Sequence, residues 1–167
     1  MKPLVKLGLG LAIAGAIATF FFADNLGRSA APAVQYTSLK GEQITQASLK
    51  GKVVLVNFWY PSCVGCVSET PKLVATHHKF KGRDFATVGV TMNIDPPQVI
   101  NAFAERFQIP YFIALDIDGS IAQRFGDVRL APTSFLIDKQ GRIVRRYLGE
   151  PDFEQLHALI EEKLKES

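Results

Sequence analysis

Val53-Val54-Leu55-Val56-Asn57-Phe58-Trp59-Tyr60-Pro61-Ser62-Cys63-Val64-Gly65-Cys66 is the stretch on which the reading of this chain turns. Its first seven residues are aliphatic, β-branched or aromatic apart from Asn57, the composition of a strand buried on both faces. After Tyr60-Pro61 a CxxC follows where a helix should begin. A thiol at a helix N-terminus meets unpaired backbone N–H groups and the positive end of the macrodipole, and both favour the thiolate. The thiolate is the form that attacks disulfides. Two cysteines three positions apart can also close on each other without large chain movement. The sequence has no other cysteine, and the pattern points to dithiol–disulfide chemistry.

Other uses of a CxxC fit less well. Structural zinc needs about four ligands. Here no third cysteine exists, His77 and His78 are adjacent rather than helically spaced, and His157 is remote. Covalent haem attachment would want a histidine after the second cysteine, where Val67 is found. A purely structural disulfide would close too small a loop to restrict the unfolded chain much. No metal and no cofactor is therefore expected. The three histidines are expected on helix surfaces and the 12 phenylalanines in the core.

On either side of this stretch, strand and helix patterns alternate. Val34 to Thr45 should form a hairpin around Gly41, laid on the sheet edge, and Ser48 to Lys52 a turn. Cys63 to about Phe80 should be a helix kinked by Pro71. Ala86 to Met92 reads as a second buried strand. Pro97 to Phe107 has apolar residues at helical spacing, Ile109 to Leu115 is a short strand, and Ser120 to Phe125 is a short helix stopped by Gly126. Ser134 to Ile137 and Ile143 to Leu148 form a hairpin around Asp138-Lys139-Gln140-Gly141. Asp152 is an N-cap with Gln155 at the capping-box position. The last helix then runs to about Lys165, with Phe153, Leu156, Ile160 and Leu164 on one face. The sum is an α/β sandwich around a mixed sheet, without internal repeats.

At 167 residues and 47% hydrophobic, the chain can bury one ordinary core. Lys2 and Lys6 precede an uncharged, mostly apolar run of 17 residues from Leu7 to Ala23, closed by Asp24. As a helix that run would reach about 25 Å, the short end of what spans a bilayer. A positive flank before an apolar run reads as an export signal or N-terminal anchor, with the lysines left in the cytoplasm. The uncleaved anchor is preferred: the run exceeds a usual signal h-region, and Pro32 disfavours cutting after Ser29-Ala30-Ala31. No cysteine lies near its end, which argues against a lipoprotein anchor. The expected organisation is a signal or anchor over residues 1–23, a linker over 24–33 and one domain over 34–167. Beyond Lys2 and Lys6 the chain carries 17 basic against 16 acidic residues, so nothing indicates a nucleic-acid surface. In an oxidising compartment a lone close pair of cysteines would stay oxidised unless something reduced it.

Strand, then Phe58-Trp59-x-x-x-Cys63-x-x-Cys66, then helix, resembles the thioredoxin superfamily. Downstream, Leu130-Ala131-Pro132-Thr133-Ser134-Phe135-Leu136-Ile137-Asp138 resembles that family's cis-proline loop and hairpin strand. With the apolar N-terminus, the early hairpin and the extra helix–strand unit from Pro97 to Leu115, the chain from Val34 onward is similar to the TlpA/ResA-like group. These are membrane-tethered thiol–disulfide oxidoreductases that face the periplasm or cell exterior. The resemblance implies a thioredoxin-like three-layer α/β sandwich with a mixed central sheet, an N-terminal hairpin and an inserted helix–strand unit. It makes Cys63 the exposed attacking thiol, Cys66 the buried resolving thiol and Pro132 the cis-proline. The Ala131 backbone would lie beside the sulfurs, and Trp59, Ala131 and Thr133 would meet substrate. Glu69 matches a glutamate that tunes the thiols in ResA-like proteins, raising their pKa or relaying a proton from Cys66. Read by itself, Glu69 is equally a solvated helix charge paired with Lys72. Trp59 is likewise either a core aromatic or a shield for the disulfide.

The chain also departs from the pattern. Asn57 occupies the place of thioredoxin's buried aspartate, six residues before the first cysteine, so any proton role there falls to Glu69, to water or to nothing. Ser62 replaces the tryptophan usual before the first cysteine and is available as a helix cap. Val64-Gly65 is neither thioredoxin's Gly-Pro nor a histidine-bearing pair, so no reduction potential is assigned.

The expected activity is reduction of protein disulfides through a mixed disulfide, by a monomer on the periplasmic side of the bacterial inner membrane. A transmembrane donor would supply the electrons, and by resemblance the substrates would be apocytochrome c thiols or copper-site cysteines. Three alternatives are separable. A copper(I) carrier of this fold tends to use CxxxC with a distant histidine. A disulfide-donating oxidant would use the same cysteines with a more stabilised thiolate. A peroxidase would need Pro-x-x-x-Thr/Ser-x-x-Cys, absent before Cys63.

Overall fold

The computed structural model describes residues 29–166. Strand β3 (Val53–Trp59) is buried along its whole length and forms the centre of a five-stranded sheet. It pairs in parallel with β4 (Phe85–Met92) and antiparallel with β6 (Thr133–Ile137). Beyond β4 lies β5 (Phe112–Asp116), parallel to it, and beyond β6 lies β7 (Ile143–Leu148), antiparallel. The sheet is thus mixed. The helices are α1 (Val64–Phe80), α2 (Pro97–Arg106), α3 (Ser120–Arg124) and α4 (Phe153–Lys165). Strands β1 (Gln35–Thr37) and β2 (Gln43–Thr45) form a separate hairpin, fastened to the sheet edge by a bridge between Ser38 and Ala114 of β5. This is the expected three-layer α/β arrangement, with its early hairpin and inserted α2–β5 unit.

Side chains alternate across a strand, so β3 serves two cores. Val54, Val56 and Phe58 face α3 and the β1–β2 hairpin, packing with Tyr36, Phe125, Phe135 and Ile137. Phe58 meets Phe125 and Phe135 edge-on, at centroid distances of 5.4 and 5.9 Å. Such pairs contribute about 1 kcal/mol each beyond burial. Val53 and Leu55 face the other way, onto Leu73 and Phe80 of α1 and Leu156 and Ile160 of α4. The same alternation puts Asn57 and Trp59 on the α1 face, and that places them under the CxxC.

Several expectations need correction. Ser48 to Lys52 is not wholly a turn, because Ala47–Leu49 is a short 3-10 helix. Strand β5 begins at Phe112 rather than Ile109. Gln108 adopts a left-handed φ of 48° and the Ile109 N–H closes back onto Ala104 O (3.0 Å), so the chain is still finishing α2 there. His77 and His157 are not plain surface residues. His77 Nδ1 lies 3.3 Å from Thr87 Oγ1 and its ring packs beside Tyr111, while His157 Nε2 lies 2.8 Å from Thr76 Oγ1. Residues 29–33, the end of the expected linker, are bonded to the domain. The Ile143 N–H donates to Ser29 O and the Ala31 N–H to Gly141 O, both at 2.8 Å, and Arg124 reaches Ala33 O. Small side chains let this segment lie against the β6–β7 turn. The anchor over 1–23 and the remaining linker lie outside the described residues. Among those described, no helix is long and apolar enough to cross a membrane.

Candidate active site

Strand β3 delivers the chain to a turn in which the Cys63 N–H bonds Tyr60 O at 3.1 Å. Cys63 is itself the N-cap of α1: its backbone is extended and its sulfur accepts the Cys66 N–H at 3.1 Å. A sulfur therefore fills the role that a Ser or Asp oxygen usually plays. Cys63 and Cys66 are joined in a disulfide with their Cα atoms 5.2 Å apart. The expected exposed thiol is largely covered: Cys63 is 7% and Cys66 1% exposed. The cover comes from Trp59, Ala131, and Ile100 and Phe103 of α2. Ser62 does not cap α1, since its hydroxyl turns instead to Asp95.

The segment before β6 closes over the pair from the other side. The Ala131–Pro132 peptide is cis, and Ala131 O lies 3.5 Å from Cys63 Sγ. Gly65 permits this approach, because a Cβ there would sit 3.2 Å from Pro132 Cδ. The Gly149 N–H holds Pro132 O at 2.8 Å. Thr133, expected against substrate, has a buried side chain whose hydroxyl donates to Leu130 O at 2.7 Å. It fastens the loop and offers no side-chain surface to a partner. Trp59 is buried as well, its ring tilted against that of Phe103 at a centroid distance of 4.9 Å and packed in one cluster with both cysteines. Its two readings coincide, since it is a core aromatic that also covers the disulfide. Val64, 85% exposed, and Leu130, 62% exposed, leave an apolar rim beside the sulfurs.

Beneath the pair lies Glu69, one helical turn past Cys66 and fully buried. It is not a solvated charge paired with Lys72, because Lys72 pairs with Glu150 at the surface. Asn57 Nδ2 donates to Glu69 Oε2 at 3.2 Å and to Ser134 Oγ at 2.9 Å. Glu69 Oε1 is buried with no hydrogen-bond partner among the described residues. Burial pushes the Glu69 pKa up to about 7, and the charge of Glu150 adds to this. The Asn57 hydrogen bond and the Lys72 charge oppose it. Tyr111, in the same apolar cluster as Leu73, has its phenol pushed up by burial and by the Glu69 charge. The site thus holds a carboxyl able to carry or release a proton near neutral pH.

Cys63, Cys66, Pro132, Ala131, Trp59 and Glu69 are thus brought together. The sequence reading missed Ser134 as a partner of Asn57, Gly89 as the space for the Trp59 indole, and Asp95. A Cβ at Gly89 would come 2.8 Å from Trp59 Nε1. Only the register of β3 against β4 and β6, which sets Asn57 beside Gly89 and Ser134, could have signalled the first two. Among the described residues, no three His, Cys, Asp or Glu side chains group to hold a metal.

Comparison with known proteins agrees with this geometry. The family model described as Redoxin matches residues 26–160. The thiol–disulfide oxidoreductase ResA of Bacillus thuringiensis subsp. konkukian is 34% identical over 130 residues, covering 78% of this chain and 74% of the relative. ResA of another Bacillus thuringiensis strain is 31% identical over 163 residues, covering 95% and 92%. Among solved structures, a candidate thioredoxin of Neisseria meningitidis superposes with a TM-score of 0.77 at 39% identity, covering 83% of this chain and 93% of that one. With a cysteine-capped helix, a facing proline loop and relatives of one activity, the chain belongs to the redoxin family as a ResA-like thiol–disulfide oxidoreductase.

Proposed function

We propose that this oxidoreductase works as an exported reductant of protein disulfides. The observation that carries this reading is Glu69, buried one turn below Cys66. A carboxylate there opposes thiolate formation, which favours the disulfide form of the pair and so a reducing enzyme. In the reduced protein the Cys63 thiolate, at the N-terminus of α1, attacks one sulfur of a substrate disulfide. The substrate S–S bond breaks, a mixed disulfide forms, and the first substrate sulfur leaves as a thiolate. Glu69 takes the proton of Cys66, whose thiolate then attacks Cys63 Sγ. The second substrate thiol is released, and two electrons have passed from enzyme to substrate.

A substrate chain would lie along the Ala131 backbone, against Val64 and Leu130. Lys2, Lys6 and the apolar run to Ala23 support an N-terminal anchor and a site on the periplasmic side of the inner membrane. There the oxidised pair would take electrons from a transmembrane donor and act as a monomer. Its substrates would be disulfides whose reduction yields apocytochrome c thiols, within cytochrome c maturation, or reduced copper-site cysteines.

The test is equilibration of the pair against glutathione and dithiothreitol, alongside Cys63→Ser and Cys66→Ser. The reading expects a pair that dithiothreitol rather than glutathione reduces. Cys66→Ser should trap a mixed disulfide on Cys63, and Cys63→Ser should lose disulfide reduction entirely. Ready reduction by glutathione would overturn the direction of flow.

A further inference from the structure

The inserted unit touches the redox pair in two ways. Its helix α2 packs Ile100 and Phe103 on Trp59, Cys63 and Cys66. Its opening loop contributes Asp95, whose Oδ2 accepts both the backbone N–H and the hydroxyl of Ser62, each at 3.0 Å. Two donors from the residue directly before Cys63 thus converge on one carboxylate oxygen. Pro96 and Pro97 follow at once, and Pro96 O takes the Val99 and Ile100 N–H groups at 2.9 and 3.1 Å. The carboxylate therefore sits on a stiff start to α2 rather than on a free loop.

We propose that Asp95 sets the redox balance of the pair: Ser62 clamps its carboxylate beside Cys63, where its charge opposes the attacking thiolate. This rests on Cys63 being the attacking thiol. Among the described residues, three other sets of charged groups flank the pair or the Asp95 groove. Glu69 lies beneath Cys66, the Lys72–Glu150 pair lies at the surface of α1, and Arg106 of α2 borders the groove that Asp95 shares with Pro61, Ser62 and Phe103. Asp95 is the carboxylate bound to the Cys63 segment itself. It acts on the first cysteine as Glu69 acts on the second.

The test compares Asp95→Asn, Asp95→Ala and Ser62→Ala with wild type. The readouts are the equilibrium of the pair with dithiothreitol and the pH at which the Cys63 thiolate absorbs. Asn keeps an oxygen for Ser62 and removes the charge. The balance should then move toward the dithiol by about threefold to tenfold, and the thiolate should form at lower pH. Asp95→Ala should show the same direction, while Ser62→Ala, which keeps both charge and N–H bond, should stay within about twofold. Unchanged equilibria in both Asp95 variants, with thermal melts showing them folded, would overturn the proposal. So would a Ser62→Ala shift as large as that of Asp95→Asn. The ratio of variant to wild type decides this, whichever direction the wild-type potential gives to electron flow.

Discussion

Two buried carboxylates at opposite ends of the sheet, Asp138 and Glu69, are treated in opposite ways. At the far end Asp138, just past β6, is covered but fully employed. Its Oδ1 accepts the Gln140 and Arg142 N–H groups at 3.0 and 2.9 Å, and its Oδ2 accepts Arg142 Nε at 2.8 Å. At the disulfide end Glu69 is equally covered, yet among the described residues one oxygen has a single donor and the other has none. A satisfied buried charge shapes a turn. An under-satisfied one sits close to changing its protonation state, which is what a proton carrier needs.

The sharpest way to break this contrast is Asp138→Ala. It removes the acceptor of two backbone N–H groups and of Arg142 Nε, and should cost about 3 kcal/mol of stability in denaturant titrations. The redox equilibrium should not change, and a change would show that the two ends are coupled. Glu69→Gln should act in the reverse sense. The folded-state pKa of Glu69, about 7, lies above the ordinary carboxylate value, so folding holds a proton that the unfolded chain releases. Wild-type stability should therefore fall as pH rises from the unfolded value through about 7, then level off. Gln keeps an oxygen toward Asn57 and has no such loss. Above pH 7 it should be the more stable protein by about 3 kcal/mol, while resolving the mixed disulfide more slowly. Equal stabilities from pH 5 to 8 would count against a neutral Glu69. The smallest effect is expected for Asn57→Ala. It removes the one donor that favours the charged form, so the midpoint of the pH–rate profile should rise by about one unit. A falling midpoint would mean that Asn57 does not restrain the carboxyl.

How much of this could be read in the sequence follows the reach of each interaction. Val53 to Trp59 announced the central strand because burial on both faces leaves a local composition. Cys63 and Cys66 announced a helix start because their spacing is local too. The turn at Asp138 to Gly141 carried its own chemistry, and Gly141 has a φ of 80° there. The polar network did not announce itself: Asn57 meets Ser134 across 77 positions and Ser62 meets Asp95 across 33. In sequence Glu69 is equally a surface charge or a buried one, because one helical residue between polar neighbours fits either face; the Lys72–Glu150 pair is what separates the two. Thr133 resembled a substrate contact by its neighbourhood, and only the bond to Leu130 O turns its hydroxyl inward.

Ser29 and Ala31, strapped to the β6–β7 turn, also mark the pole at which the described chain enters the domain. β6 runs from Thr133 beside Phe58 to Ile137 beside Val54, so that turn lies at the opposite pole from the sulfurs. A domain held by its N-terminal segment would hang from this pole like a lamp from its cord, with the disulfide facing outward. The separation is about the length of a seven-residue strand, roughly 23 Å. Residue 29 and the sulfurs thus mark opposite poles of the domain.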